Sequence, residues 1–200
     1  MIRIVLIFFL AVTLFGCSKA ADNYEANDKY VATTIATSDI KIYKEPDLLT
    51  LLDKKVKDDH TIKDNVRITE VLHDERSSFV KFVFEENTTL IEGVAYVTQE
   101  QDAWKLEQLA VLPVDSKSPF THHEYASALN DGTNRGFKIV SGYINEPKIK
   151  EIRIIYADRE MRVIMIGKNQ KTYIDCVIGD TGSIKEISAL DDTGKTIFKY

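Results

Sequence analysis

The spacing of apolar residues changes along the chain and divides it into differently folded parts. From Leu48 to Val56, apolar residues recur at spacings of three and four, and charged residues fill the positions between them. This pattern is typical of an amphipathic helix with one face on a core. Pro46 suits the first turn of that helix, and Asp47 lies where a negative charge complements the helix dipole. Just upstream, Ile40 to Ile42 alternates as a short strand does.

Four segments with strand character follow the helix. They are Val66 to Leu72, Ser78 to Glu85, Leu90 to Thr98 and Ala103 to Leu112. In the second segment, apolar residues at 80, 82 and 84 alternate with Lys81 and Glu85. The breaks between the segments are too short for parallel crossovers, so the pattern predicts antiparallel hairpins. A helix packed on an antiparallel meander covers one sheet face, and this order of elements resembles cystatin-like and nuclear-transport-factor-like α+β folds.

The C-terminal third has only strand periodicity. The predicted strands are Phe137 to Ile144, Ile149 to Tyr156, Met161 to Ile166, Lys171 to Ile178, Ser183 to Leu190 and Lys195 to Phe198. Two sets of residues share a face by alternation: Ile152, Ile154 and Tyr156, and then Met161, Val163 and Met165. Short strands separated by turn residues predict a small sandwich or barrel-like module. The layout resembles the β-rich C-terminal part of uncharacterised surface lipoproteins of Gram-positive bacteria.

A change of composition between these parts suggests a junction. Ser118 can cap a helix and Pro119 can start it, with Leu129 at its end and Gly132 just beyond. We therefore predict an α+β domain at 38–113, a linker with a short helix at 114–136, and a β-rich domain at 137–200. The predicted fold class is α+β, with a helix on an antiparallel meander followed by a small all-β, sandwich-like half.

The N-terminus has the pattern of a leader. Ile4 to Phe15 is nearly all apolar, which fits a signal peptide and is shorter than the roughly 20 residues needed to span a bilayer. Its end, Leu14-Phe15-Gly16-Cys17, resembles a bacterial lipobox. The resemblance implies cleavage after residue 16, diacylglycerol and palmitate on Cys17, and a tether over 17–37. The alternative is an ordinary secretory leader or an uncleaved anchor in which the cysteine is incidental.

The charge of the chain restricts its partners. The formal net charge is −5, and removal of the leader with Arg3 makes it −6. An acidic chain is poorly suited to binding nucleic acid, which requires a dense basic surface on the protein. It is also poorly suited to binding anionic lipid through a polybasic segment. Lipid on Cys17 is therefore the predicted contact with the membrane, at the extracytoplasmic face of the cell membrane.

The second cysteine is predicted to be inert. Cys17 would be consumed by lipidation, which leaves Cys176 without an intramolecular partner. Strand alternation places Cys176 on the same face as Ile174 and Ile178. A buried thiol that acts as a small apolar side chain is therefore favoured over a reactive one.

Two short motifs resemble catalytic signatures. Asp180-Thr181-Gly182 and Asp192-Thr193-Gly194 match the tripeptide of aspartic proteases, but one predicted strand holds them apart, and hairpin turns explain both. Ser78-Phe79-Val80-Lys81 matches the S-x-x-K pattern of penicillin-recognising enzymes, which requires a helix. On a strand, Ser78 and Lys81 point to opposite faces. We predict no catalytic residues from either motif.

Histidines and aromatic residues are the remaining candidates. His122, His123 and Glu124, with His60 and His73 elsewhere, could contribute to a metal site, but neighbours on a short helix diverge and a polar helix face is the favoured interpretation. Six aromatic residues either line a ligand groove or pack in cores, the commoner use: Tyr96, Trp104, Tyr125, Tyr143, Tyr156 and Tyr173. No metal or cofactor site is predicted.

These observations predict a membrane-anchored extracytoplasmic lipoprotein that binds or scaffolds and has no catalytic activity. The alternative is a cell-envelope hydrolase or sensor with an unrecognised acidic site. Two acids that converge in one cleft with raised pKa would favour the enzyme. A continuous exposed apolar patch would favour binding. A ligand receptor of an uptake system fits less well, because the chain lacks a βαβ rhythm.

Overall fold

The computed structural model describes residues 44–75, 77–133, 135–157, 161–179 and 182–200. These residues form one helix and twelve strands and lie in a single compact unit. Every paired strand described is antiparallel, as predicted for the meander, and the predicted α+β, sandwich-like fold class is confirmed. The predicted strand at 40–42, the leader, Cys17 and the whole tether at 17–37 lie outside the described residues.

The helix forms where the apolar spacing predicts it. Helix α1 runs Leu48–Asp59, and its buried residues are Leu51, Leu52 and Val56. Asp47 is the N-cap, since its Oδ1 accepts a hydrogen bond from Thr50 N at 2.7 Å, and this bond lowers the pKa of the Asp47 carboxyl. Pro46 therefore precedes the helix instead of lying in its first turn.

A five-stranded sheet follows from the meander. Its strands are β1 (Lys44–Glu45), β2 (Arg67–Asp74), β3 (Ser77–Glu86), β4 (Thr89–Glu100) and β5 (Ala103–Pro113). They pair in the order β1-β5-β4-β3-β2, and we name them the meander sheet. One face, which includes Val80, Phe82 and Phe84, packs against helix α1. Alternation places residues such as Phe79 and Val94 on the other face, which is also buried.

The predicted linker helix is wrong. Residues 123–128 form strand β6 (His123–Ala128), which pairs with β7 (Gly136–Tyr143), and Ser118 Oγ donates to Phe120 O instead of capping a helix. A helix this short gains little from local propensity, whereas a strand gains a full ladder with β7. The alternating burial along β6 matches a period of two.

Two further sheets complete the fold. The remaining strands are β8 (Glu151–Tyr156), β9 (Arg162–Met165), β10 (Thr172–Ile178), β11 (Ile184–Leu190) and β12 (Thr196–Lys199). The middle sheet has the order β10-β7-β6, and the outer sheet has the order β12-β11-β8-β9. Ile152, Ile154 and Tyr156 share a face, as predicted, and that face is buried.

The sheets stack because the middle sheet is buried on both faces. Phe137, Ile139 and Ile174 pack against the meander sheet, and Val140 and Val177 pack against the outer sheet. Cys176 and Ile178 join the first of these clusters with Ile174, so the predicted shared face of Cys176 is confirmed. The core of the N-terminal part is therefore continuous with that of the C-terminal part.

A glycine permits the closest backbone approach in the middle sheet. A Cβ on Gly142 would overlap the backbone carbonyl of Thr121. That carbonyl accepts a hydrogen bond from Tyr173 Oη at 2.8 Å, and Thr121 N donates to Tyr143 O at 2.8 Å. Because the segment before β6 is held by both bonds, it cannot move aside easily.

We therefore expect Gly142→Ala to lower the free energy of unfolding by about 3 kcal/mol, measured by urea denaturation. Gly136→Ala is the matched control on the same strand. Its added Cβ would meet atoms no closer than 3.7 Å, so we expect a change within about 1 kcal/mol. Equal stability of the two variants would contradict the close approach at Gly142.

Candidate functional site

The predicted lipidation site is not part of the described structure. Cys17 and the leader lie outside the described residues, so lipidation stays a prediction. Cys176 is partly buried, and burial, with the nearby Asp175 carboxylate, raises the pKa of its thiol to about 12. A thiol with that pKa is almost entirely protonated at neutral pH, which favours an unreactive side chain over a nucleophile.

The short motifs occupy the structures predicted for them where they are described. Asp191 Oδ1 accepts hydrogen bonds from Thr193 N at 2.9 Å and Lys195 N at 3.0 Å, which makes the second D-T-G copy part of a hairpin turn. In the first copy, Asp180 and Thr181 lie outside the described residues. Ser78 and Lys81 are both on strand β3, as predicted.

The histidines are dispersed and serve different contacts. His122 packs on the Tyr200 ring with 4.2 Å between centroids, and burial, with His123 nearby, lowers its pKa. His60 lies beside Glu86, and His73 Nδ1 is 2.8 Å from Ser78 Oγ. Within the described residues, no three His, Cys, Asp or Glu side chains converge as metal ligands do. The predicted helix face at 122–124 is wrong, because His123 and Glu124 belong to β6.

The aromatic residues are used mainly for packing. Three of the six are buried in cores: Tyr96, Tyr156 and Tyr173. Trp104 and Tyr125 are partly buried at core edges. The prediction that these aromatic residues pack in cores, instead of lining a ligand groove, is confirmed for these five. Tyr156 Oη donates to Asp175 Oδ2 at 2.9 Å, and burial raises the pKa of Tyr156 strongly. Tyr143 is half-buried.

The most unusual feature of the core is a buried ion pair between the meander and middle sheets. Lys81 on β3 and Glu92 on β4 are each 1% exposed, and Lys81 Nζ donates to Glu92 Oε2. Alternation places Lys81 on the face of the meander sheet that points away from helix α1. The middle sheet covers this second face. The two side chains therefore have no access to bulk water.

Side chains from neighbouring elements make the remaining polar contacts of Glu92 and Lys81. We name these two residues, together with Thr121, His123 and Ser141, the buried cluster. Thr121 Oγ1 donates to Glu92 Oε1, and His123 Nε2 lies 3.0 Å from the same atom. Lys81 Nζ is 3.3 Å from Ser141 Oγ on β7. No buried side-chain nitrogen or oxygen in the described part of the chain lacks a hydrogen-bond partner.

The electrostatics of the buried cluster favour an ionised Glu92. Burial opposes ionisation, but the hydrogen bond to His123 and the charge of Lys81 outweigh it and lower the pKa of Glu92 to about 2. Burial lowers the pKa of Lys81, while Glu92 and Glu70 act in the opposite direction. Burial raises the pKa of Glu70, although the hydrogen bond that Thr172 Oγ1 donates to it at 2.8 Å acts to lower that pKa.

This arrangement is suited to packing and not to nucleophilic catalysis. Lys81 Nζ contacts Glu92 and Ser141, whereas Ser78 Oγ contacts His73 Nδ1, so the lysine does not reach the serine of the S-x-x-K motif. The cavity beside the cluster has a volume of about 30 Å³. That is enough for a water molecule but far below the roughly 300 Å³ of a small-molecule site.

Two acids in a surface cleft each pair with a basic side chain. A cleft beside the ends of β2 and β4 has several carboxylates, among them Glu107 and Asp131. Hydrogen bonds from Thr133 and Arg135 lower the pKa of Asp131 to about 2, and Glu107 pairs with Lys105 at 3.0 Å. The lowered pKa favours an ionised Asp131, whereas the acid of an acid–base pair needs a raised pKa.

An apolar strip runs along strand β9 and the residue just before it, at one edge of the outer sheet. Met161, Val163 and Met165 are 47%, 47% and 67% exposed, and they are three of the five exposed large apolar side chains in the described residues. We name them the β9 strip. Among the described strands, β9 pairs only with β8, so its other edge carries unpaired backbone groups. This strip is the exposed apolar patch that favours binding.

No family model matches the chain, and neither a curated protein nor a solved structure matches it. Within the described residues, no helix has the length and apolar composition to cross a bilayer. The buried cluster is an element of the core, and the β9 strip is an exposed apolar surface.

We expect Glu92→Gln to lower the free energy of unfolding by about 3–5 kcal/mol at neutral pH, because it leaves the Lys81 ammonium buried without its counter-charge. The pKa of Glu92 is about 2 in the folded protein. The stabilisation is therefore complete above the ordinary glutamate pKa and is lost as the pH falls towards 2, so the effect of the substitution shrinks in acid. Urea denaturation at several pH values measures this dependence.

Two variants control this experiment. Glu124→Gln changes an exposed carboxylate 3.9 Å from Lys138, and we expect an effect within about 0.5 kcal/mol. The double variant Lys81→Met, Glu92→Leu removes both charges, and we expect most of the stability of the wild type to return. A Glu92→Gln effect that is small, or that stays constant down to pH 2, would contradict the ionised pair.

Proposed function

We propose that this chain is an extracytoplasmic lipoprotein that is anchored to the cell membrane by lipid on Cys17 and acts by binding a protein through the β9 strip, without catalysis. The observation that carries the binding part is the exposure of Val163 and Met165 on an edge strand. The anchoring part rests on the resemblance of Leu14-Phe15-Gly16-Cys17 to a lipobox.

An edge strand with exposed apolar side chains is suited to pairing with another strand. Proteins usually protect sheet edges with charge, proline or a covering element, because open backbone groups can pair with other chains. On β9, Val163 and Met165 are exposed and apolar and Arg162 is exposed and charged, while Ile164 packs on the outer core. Strand addition would combine backbone hydrogen bonds with burial of the strip.

The lipid anchor would present this surface outside the cell. Two or more acyl chains give stable anchoring, since each buried CH₂ contributes about 0.8 kcal/mol. The chain has an acidic balance of −5, so electrostatic attraction to anionic lipid would add little. The tether at 17–37 would separate the folded part from the bilayer.

The proposal can be tested in cells that produce the full chain with a photoreactive amino acid in place of Val163. We expect irradiation to give a protein adduct in the membrane fraction, because the strip would contact its partner there. The matched control replaces Leu49, which is 41% exposed on helix α1, and should give about tenfold less adduct. Equal yields from the two positions would contradict binding through the strip.

The same cells test the anchor. With Cys17→Ser the protein should leave the membrane fraction, because no acyl chain can be attached. A Cys17→Ser protein that is cleaved after residue 16 and still remains with the membrane would contradict the lipid anchor.

A further inference from the structure

We propose that the partner of the β9 strip is a second copy of this chain, which pairs antiparallel with β9 about a two-fold axis at Val163. This inference rests on the proposed function for the use of the strip and adds the identity of the partner. It follows from three properties of β9: the order of its side chains, the direction of its backbone groups and the charges beside it.

The apolar residues of the strip are arranged symmetrically. Met161 and Met165 lie two positions before and after Val163. If Val163 faces Val163 of the second copy, each Met161 faces Met165 of the other chain, and all three apolar side chains are buried on one face. A two-fold interface requires such self-complementarity, because the same surface serves on both sides. A shift of one residue would place the strips on opposite faces.

The backbone of β9 is oriented for the same pairing. Ile166 N donates to Lys150 O at 2.8 Å, which makes these residues a hydrogen-bonded pair beside the β8–β9 ladder. Hydrogen-bonded and non-hydrogen-bonded pairs alternate in an antiparallel ladder. The N–H and C=O groups of Val163 and Met165 therefore point away from β8, towards the edge of β9 where no described strand pairs.

The neighbouring charges do not oppose the contact. Next to β9, Glu151 and Arg153 on β8 form an ion pair with each other, so the surface beside the strip has no net excess of either charge from these residues. In the proposed register, Arg162 faces Ile164 of the second copy, and like charges are not directly opposed. The pairing would join two four-stranded outer sheets into one sheet of eight strands.

The contact is small, and the anchor would compensate for its size. A four-residue strand contributes less than the area of a typical stable interface, so the dimer should dissociate on dilution. Two copies held on one membrane have a much higher effective concentration. The dimer is therefore expected for the anchored chain in the membrane.

The test uses two differently tagged versions of the full chain, produced in the same cells with a photoreactive amino acid in place of Met165. We expect an adduct that carries both tags, because Met165 would contact Met161 of the second copy. Adding Val163→Pro should reduce this adduct by about tenfold or more, since proline removes the N–H that would pair across the axis. A photoreactive amino acid in place of Leu49 is the control and should give no adduct with both tags.

The proline variant is informative only if it folds. Because the Val163 N–H points away from β8, the substitution removes no hydrogen bond of the ladder, and we expect the thermal midpoint to stay within about 4 °C. An adduct with both tags that persists in the Val163→Pro variant would overturn strand pairing at this edge. If the thermal midpoint does change, Val163→Glu is the second variant. It keeps the N–H and should also abolish the adduct, because it places two charges opposite each other.

Other adducts separate this inference from the proposed function. An adduct that carries one tag and a different protein would overturn the second copy as partner and leave binding through the strip in place. An adduct with lipid alone, or no adduct at Met165 and Val163, would overturn both. Only the adduct with both tags, reduced by proline at 163, supports the dimer.

Discussion

The fold depends on burial of the second face of the meander sheet. A single helix covers one face, and the other carries Lys81 and Glu92 among apolar residues such as Phe79 and Tyr96. Two charges in that layer are tolerable only because they contact each other and because Thr121, His123 and Ser141 supply the remaining partners. The pair thus restricts how the middle sheet can lie on the meander sheet.

This constraint explains the position of strand β6. Thr121 and His123 reach Glu92 only if residues 121–128 run along β7, where His123 is the cross-strand partner of Ser141. Gly142 permits the approach of the Thr121 backbone that this path requires. Buried polar groups that accept only one arrangement can add specificity to a core, and we interpret the buried cluster in this way.

Much of the fold could be predicted from periodicity, because the elements have strong patterns of their own. The stripe of Leu51, Leu52 and Val56 predicts helix α1, and the alternation through Met161, Val163 and Met165 predicts a strand with one shared face. Alternation says which residues share a face but not what covers it. It could not show that the Lys81 face is buried while the Val163 face is exposed, since both depend on contacts distant in sequence.

The candidate sites were harder to predict for the same reason. The signal for the buried cluster was the placement of Lys81 between Phe79 and Val83, which a solvent-facing strand would rarely have. Residues 118–132 include a capping serine, a proline and a closing glycine, which predict a helix. Pairing with β7 outweighs these local preferences, because an isolated helix of about three turns has little stability of its own.

The central claim is that the meander, middle and outer sheets form one cooperative unit through their shared cores. The direct measurement is a urea titration followed by Trp104 fluorescence and by hydrogen exchange of strands β8 and β11. Trp104 is the only tryptophan and lies on the meander sheet, whereas β8 and β11 belong to the outer sheet. The account predicts that both signals change at the same urea concentration. Protection that persists in β8 and β11 after the Trp104 signal has reached its unfolded value would contradict it.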